Sequence, residues 1–183
     1  NDDGYLKGFN TDMDGFLEPI KNRNITIKDS NVLLLGSGGA ARAIIAGMAK
    51  EKAKKVTIIN RTIEHATQLK EFSANIGLDA EVKSFTEMND LHTDYNFIIN
   101  SSSLGLKNES NIVPSEIINE DTIVYDIVYK PVNTELIKES KKKNAEIIYG
   151  YEMLLGQAVR SFEIWLGMEA PYDAMKKAIL GGF

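Results

Sequence analysis

The 183-residue sequence contains no cysteine, two histidines, one tryptophan and four prolines. Without thiols there can be no disulfide, thiolate nucleophile or Cys-ligated zinc, and a reducing cytoplasm is the natural compartment. His65 and His92 stand without a second His or a carboxylate at a metal-ligand spacing, so no metal is expected and both read as surface or capping residues. Long apolar runs are also missing. Stretches such as Val32 to Leu35 fall far below the roughly 18 residues of a membrane span, and no signal-peptide pattern opens the chain. Positive charge is in deficit, with 21 Lys plus Arg against 26 Asp plus Glu, a net charge of -5 and a pI near 5.2. Nucleic acid and anionic membranes are therefore not expected partners, and any anionic ligand must be held locally. What remains is 43% hydrophobic and 26% charged, an ordinary globular composition for one domain or one and a half. The chain opens at Asn1, without methionine and in a polar, turn-like stretch, which predicts further residues upstream.

Apolar runs alternate with helix-forming stretches. Asn31 to Leu35 is a short apolar run stopped by glycines, and Ala40 to Glu51 follows as a helix. The pattern predicts further strands at Lys55–Ile59, Ala80–Phe85, Asn96–Ile99, Thr122–Val128 and Glu146–Tyr149, with helices at Ile63–Asn75 and Asn133–Asn144, the latter capped by Asn133 or Thr134. Such alternation predicts an α/β fold, a doubly wound parallel sheet with helices on both faces. The flanks depart from it. Residues 1–24 hold a polar turn and a short amphipathic segment, and 151–183 read as two helices, Glu152–Leu166 and Tyr172–Leu180. Trp165 and Phe162 are expected to pack, and Lys141 to Lys143 to form the solvated end of a helix.

Where the first strand ends and the first helix of the alternating pattern begins, Gly36-Ser37-Gly38-Gly39-Ala40-Ala41 satisfies the dinucleotide fingerprint G-x-G-x-x-A. About 0.16 such matches are expected by chance, so the strand-to-helix context supplies much of the weight. Gly36 can make the turn, Gly38 can admit a pyrophosphate to the backbone, Ala41 can pack on the sheet, and the helix start offers free N–H groups. The plain alternative is a glycine-rich turn with no ligand. After the second strand, where an NAD-binding protein usually offers a carboxylate to the ribose, stand Asn60, Arg61 and Thr62. A guanidinium there suits a 2'-phosphate, which favours NADP over NAD. Thr62 as a mere helix cap and Arg61 as a merely exposed side chain is the competing reading. Arg61 also argues against a methyltransferase, whose adenosine ribose is unphosphorylated. Ser101 to Ser103 lack a nucleophile-elbow sequence and a histidine partner, which argues against a hydrolase.

Several separated segments together resemble the shikimate dehydrogenase family. Gly8-Phe-Asn-Thr-Asp12 with Gly15-Phe16 is similar to its G-x-N-T-D-x-x-G-F segment, and the glycine loop and Asn60-Arg61-Thr62 to its cofactor motifs. Asn100-Ser-Ser-Ser-Leu-Gly105 resembles N-A-T-S-x-G, Asp126-Ile-Val-Tyr-Lys-Pro131 resembles D-x-V-Y-x-P, and Gly150 with Met153, Leu154 and Gln157 resembles G-x-x-M-L-x-x-Q. The resemblance covers the whole chain and the C-terminal two thirds of a family member. It implies a Rossmann-like fold and the reversible NADP-dependent reduction of 3-dehydroshikimate to shikimate in aromatic amino acid biosynthesis.

By the same resemblance, Asp12 is the carboxylate of a catalytic Lys–Asp pair, with Asn10 beside it and Tyr129 and Gln157 reaching the substrate. Gly36, Ser37, Gly38, Gly39, Ala40 and Ala41 hold the pyrophosphate, and Asn60, Arg61 and Thr62 surround the 2'-phosphate. Ser102 lies by the cofactor, and Gly150 and Met153 lie near the nicotinamide. Ser101 and Ser102 replace the more usual Ala and Thr. Taken without the resemblance, Asn10 or Thr11 reads as a helix cap, Tyr129-Lys-Pro131 as a strand exit and Gln157 as a polar residue on an apolar helix. The family's acid/base lysine is expected upstream of Asn1, since Lys7 stands in no matching motif. Residues 1–24 then read as remnant and linker of the substrate-binding domain, 25–150 as the NADP-binding domain and 151–183 as C-terminal helices that pack on the missing part, with a homodimer allowed. The expected activity is that of a cofactor-binding portion, inactive alone. The competing class is a stand-alone, non-catalytic NADP-binding or regulatory domain.

Overall fold

The computed structural model describes residues 4–106 and 113–182. Six strands form one parallel sheet: β1 (Asn31–Leu35), β2 (Lys55–Ile59), β3 (Asp79–Lys83), β4 (Phe97–Asn100), β5 (Ile123–Asp126) and β6 (Glu146–Tyr149). Their order in space is β3-β2-β1-β4-β5-β6, and every neighbouring pair is parallel. This is the doubly wound architecture expected, with the strand order reversing between β1 and β4. Successive strand residues serve opposite faces, as a pleat requires. Val32, Leu34, Ile58, Ile99, Tyr125 and Ile148 enter one buried cluster, whereas Leu33, Leu35, Ile59, Ile98 and Val124 enter the other.

The helices are α1 (Asp12–Asn22), α2 (Gly39–Lys50), α3 (Ile63–Asn75), α4 (Glu135–Lys142), α5 (Gly150–Leu166) and α6 (Tyr172–Leu180). The first cluster takes Phe16, Leu17 and Ile20 from α1, Ile44 and Met48 from α2, Leu69 from α3 and Met153 from α5. Helices α1 and α5 of the flanks therefore join the same core as the sheet, whereas α6 buries no residue, and Phe16 stacks on Tyr125 of β5 with ring centroids 5.1 Å apart. Leu136 of α4 belongs to the second cluster. No helix among the described residues is long and apolar enough to cross a membrane.

Several boundaries differ from those predicted, each for a local polar reason. The third strand stops at Lys83, two residues short, because Ser84 opens a 3-10 turn over Phe85–Asp90: its N–H donates to Glu87 Oε2 at 2.8 Å and its carbonyl accepts from the Glu87 N–H. The fifth strand stops at Asp126 rather than Val128, because the Val128 N–H turns back to Asp126 Oδ1 at 3.1 Å. The helix predicted over Asn133–Asn144 shortens to α4, with Thr134 as its cap through a 3.3 Å bond from the Ile137 N–H. Trp165 is not packed: it is 80% exposed at the end of α5, with Leu166 also exposed.

Helices α1 and α5 cross at two glycines. A Cβ on Gly15 would lie 2.5 Å from the Gln157 nitrogen, and one on Gly156 would lie 2.9 Å from the Gly15 Cα. Backbone meets backbone there, and Arg23 after α1 ties the same helices through a 2.9 Å ion pair with Glu152. Gly15→Ala should destabilise the protein by about 1 to 3 kcal/mol, the usual range for overpacking, because no side chain can swing away. Urea unfolding checks this, and a midpoint equal to the unmodified protein's would show that the helices are free to separate.

Candidate functional site

At the carboxyl ends of β1 and β4 the chain leaves the sheet on diverging paths, and the crevice between them is where doubly wound folds bind ligands. Gly36 follows β1 with φ +98°, a left-handed conformation open to glycine, and its N–H bonds the Ile59 carbonyl of β2 at 2.8 Å. A Cβ there would lie 2.9 Å from the Ser101 carbonyl carbon, so the protein itself demands glycine at 36. Gly38 and Gly39 differ. A Cβ at either would meet nothing within 4 Å, and Gly38 has an ordinary extended conformation. Packing and backbone strain leave both positions open to larger residues, and the space above them is free for a ligand.

That space lies over the N-terminus of α2, where Gly38 is the cap residue and no side chain caps the helix. No acidic residue occupies its first turn. The amide dipoles and the unsatisfied N–H groups therefore favour an anion. Ala41, fully buried, packs the helix onto the sheet, while Ser37 is partly exposed beside the loop.

The neighbouring strand ends carry the other sequence candidates. After β2, the Asn60 amide donates to the Thr62 carbonyl at 2.8 Å and so folds the turn that exposes Arg61. Thr62 occupies the cap position of α3 but makes no side-chain capping bond. After β4, the Ser101 hydroxyl donates to the Leu35 carbonyl at 2.8 Å, while Ser102 donates through both its N–H and its hydroxyl to Asn100 Oδ1, at 3.1 and 2.7 Å. After β5, Tyr129 is half exposed, just before the cis peptide Lys130–Pro131. After β6, Gly150 starts α5 so close to the loop after β5 that a Cβ would overlap the Ile127 carbonyl. Met153, one turn further, is buried in the core.

Asn10 and Asp12 sit apart from the glycine loop in sequence but at the start of α1, against α5. Asn10 Oδ1 accepts the Asp12 N–H at 2.9 Å, which makes Asn10 the side chain that opens the helix, since Thr11 gives no capping bond. The Thr11 hydroxyl instead pairs with Ser161 at 3.0 Å and lies 3.5 Å from Gln157 Oε1. Gln157 also donates to the Leu154 carbonyl at 3.1 Å. The Asn-Thr-Asp triplet and Gln157 are thereby brought together through Thr11, a residue singled out on sequence only as a cap. The Lys7 ammonium rests 4.9 Å from the Phe9 ring centroid.

A buried polar pair beneath the site had received no role on sequence. Asn100 and Asp126, 2% and 0% exposed, are register partners at the last positions of β4 and β5. The Asn100 amide donates to Asp126 at 2.9 Å, and the Thr134 hydroxyl donates to its other oxygen at 2.6 Å. Burial raises the Asp126 carboxyl above its ordinary pKa, against the opposing pull of the bonds from Thr134, Val128 and Asn100. The available signal was two otherwise apolar strands, Phe-Ile-Ile-Asn and Ile-Val-Tyr-Asp, each ending on a polar residue. Among the described residues no group of three His, Cys, Asp or Glu could hold a metal. A cleft of about 210 Å³ lined by Lys54, Lys55, Glu81 and Tyr95 opens at the opposite, amino-terminal end of the sheet; its Lys55, Glu81, Thr57 and Tyr95 bond to one another.

Comparison with known proteins agrees with this geometry. A family model described as shikimate / quinate 5-dehydrogenase matches residues 19–128, and one described as the shikimate 5'-dehydrogenase C-terminal domain matches residues 150–180. A curated shikimate dehydrogenase (NADP(+)) of Nitrosopumilus maritimus is 64% identical over 183 residues, covering 100% of this chain and 67% of that protein. The crystal structure of shikimate 5-dehydrogenase from Listeria monocytogenes in complex with shikimate and NAD superposes with a TM-score of 0.90 at 28% identity, covering 98% of this chain and 65% of that one. That of the Thermus thermophilus enzyme in complex with NADP(H) and shikimate gives 0.80 at 30% identity, covering 96% and 64%. The chain thus spans about two thirds of the length of these relatives. With the sheet order, the glycine turn and both matched segments in agreement, the chain belongs to the shikimate / quinate 5-dehydrogenase family.

Proposed function

We propose that the chain is the cofactor-binding portion of an NADP-dependent oxidoreductase that interconverts 3-dehydroshikimate and shikimate. The observation that carries this reading is the open space over Gly38 and Gly39 at an uncapped helix start, beside the point where the strand order reverses. The activities and ligands of the relatives support the reaction and the nucleotide.

On this reading the α2 N–H groups bind the pyrophosphate, with Gly36, Ser37, Gly38, Gly39, Ala40 and Ala41 forming the loop around it. Arg61 pairs with the adenosine 2'-phosphate, and Asn60 and Thr62 shape the turn that presents it. Ser102, Gly150 and Met153 border the nicotinamide end, and Asn10, Asp12, Tyr129 and Gln157 border the substrate. When bound, NADPH supplies the hydride; the protein orients it and manages the proton. Asp12 holds and tunes the acid/base lysine of the reaction. Residues 25–150 serve as the nucleotide domain. The α1–α5 pair serves as the ledge that carries Asp12 and Gln157 beside it.

Gly38→Val should fold with unchanged circular dichroism, since a Cβ at that position meets nothing within 4 Å, yet lose NADPH binding because the backbone can no longer approach the pyrophosphate. Undiminished affinity in the folded variant would reduce the loop to a turn. Calorimetric titration should show NADPH binding more tightly than NADH, and Arg61→Ala should remove about 1.5 to 3 kcal/mol of that preference, the range of a charge-assisted hydrogen bond. Equal affinities for the two nucleotides in the unmodified chain would overturn the choice of NADP. The chain should also bind NADPH without forming it from shikimate and NADP+ at a measurable rate, followed by absorbance. Sustained turnover would place the acid/base group within the chain and make Lys7 and Lys130 the first positions to substitute.

A further inference from the structure

The side chains below the cofactor site are bonded in one direction. Asn100 directs its amide nitrogen at two groups that only accept, the Asp126 carboxylate at 2.9 Å and the Leu104 carbonyl at 3.0 Å. Its oxygen therefore faces Ser102, whose backbone N–H can only donate to it. The Ser102 hydroxyl must then spend its proton on the same oxygen, at 2.7 Å, and its own oxygen receives the Leu104 N–H at 3.2 Å. A hydroxyl has one proton and two lone pairs, so among the described residues one acceptor position on Ser102 is left. Ser102 is partly exposed, on the loop that borders the crevice.

Behind Asn100, Asp126 accepts three donors: the Asn100 amide, the Val128 N–H at 3.1 Å and the Thr134 hydroxyl at 2.6 Å. Thr134 spends its proton on Asp126 while its own oxygen accepts the Ile137 N–H at 3.3 Å. No ion pair to Asp126 is present among the described residues. Three donors converge on the carboxyl oxygens, and in a buried chain of hydrogen bonds each link polarises the next.

We propose that Asp126, acting through Asn100, fixes the Ser102 hydroxyl as a hydrogen-bond acceptor toward the cofactor, which makes Asp126 a positioning residue for dinucleotide binding. This rests on the cofactor reading above. The group that meets Ser102 is then a donor, a ribose hydroxyl or the carboxamide NH2 of the nicotinamide, and not a phosphate oxygen. The same carboxylate also ties the loop after β5, which carries Tyr129, to the loop after β4, so the two walls of the crevice share one anchor.

The test is a double-mutant cycle on NADPH affinity in the 183-residue chain. Ser102→Ala and Asp126→Ala should each weaken binding about fivefold to twentyfold, the range of a single hydrogen bond. The double variant should be no weaker than the worse single one, since both remove the same contact. Asp126→Asn, which keeps an oxygen toward Asn100 and Val128, should recover most of the loss. Should Asp126→Ala fail to fold, Asn100→Ser breaks the same relay one link nearer to Ser102 and carries the same expectation. Titration with the acetylpyridine analogue of NADPH, which lacks the carboxamide NH2, separates the two donors: the Ser102→Ala effect vanishes if the carboxamide is the partner and persists if it is a ribose hydroxyl. Additive losses in the cycle, or an Asp126→Ala chain of full affinity, would overturn the relay while leaving the cofactor reading intact. Failure of the unmodified chain to bind NADPH would overturn both.

Discussion

The backbone of Gly36 lies against the backbone of Ser101, and the arrangement of the whole carboxyl end of the sheet depends on that contact. Strands β1 and β4 are hydrogen-bonded neighbours whose chains then part, and their first residues beyond the sheet must pass without a side chain between them. The Ser101 N–H and hydroxyl both bond the Leu35 carbonyl, which holds the two exits together even as they turn away. The helix start that follows one exit and the Ser102 loop that follows the other are thus set at a fixed spacing. A crevice made this way is rigid on its floor and open above.

A second pair of glycines does for the helical layer what Gly36 does for the sheet. Because Gly15 and Gly156 bring α1 and α5 together backbone to backbone, the beginning and the end of the chain become neighbours. Thr11 then reaches Ser161, and the Asn10–Asp12 segment takes its position from a helix that itself starts at β6. The geometry of the acidic end is in this way referred back to the sheet through α5 and not through the loop leading into α1.

How far the sequence could be read follows from what each signal measures. Apolar patterning gave β2, α3 and β6 their observed limits. It ran too far at β3 and β5, where Ser84 and Asp126 capture nearby N–H groups and end the strand by a local bond that hydrophobicity does not register. Trp165 was misread because helical periodicity states which residues share a face, not whether anything covers that face. At the site, the turn that demands glycine at 36 was legible, while the protein itself makes no packing demand at Gly38. The Asn100–Asp126 pairing was not, because it exists through the register of β4 against β5, which no single segment contains.

The exposure of Trp165 has a practical side. It is the only indole in the chain, and it stands in solvent at the end of α5, away from the buried cluster around Phe16 and Tyr125. Its emission is therefore that of a water-exposed ring in the folded protein and changes little when the core melts. Any shift of that emission to the blue records a surface arriving at the end of α5. The protein carries its own reporter of contact there, spectrally separate from the tyrosines that report on its folding.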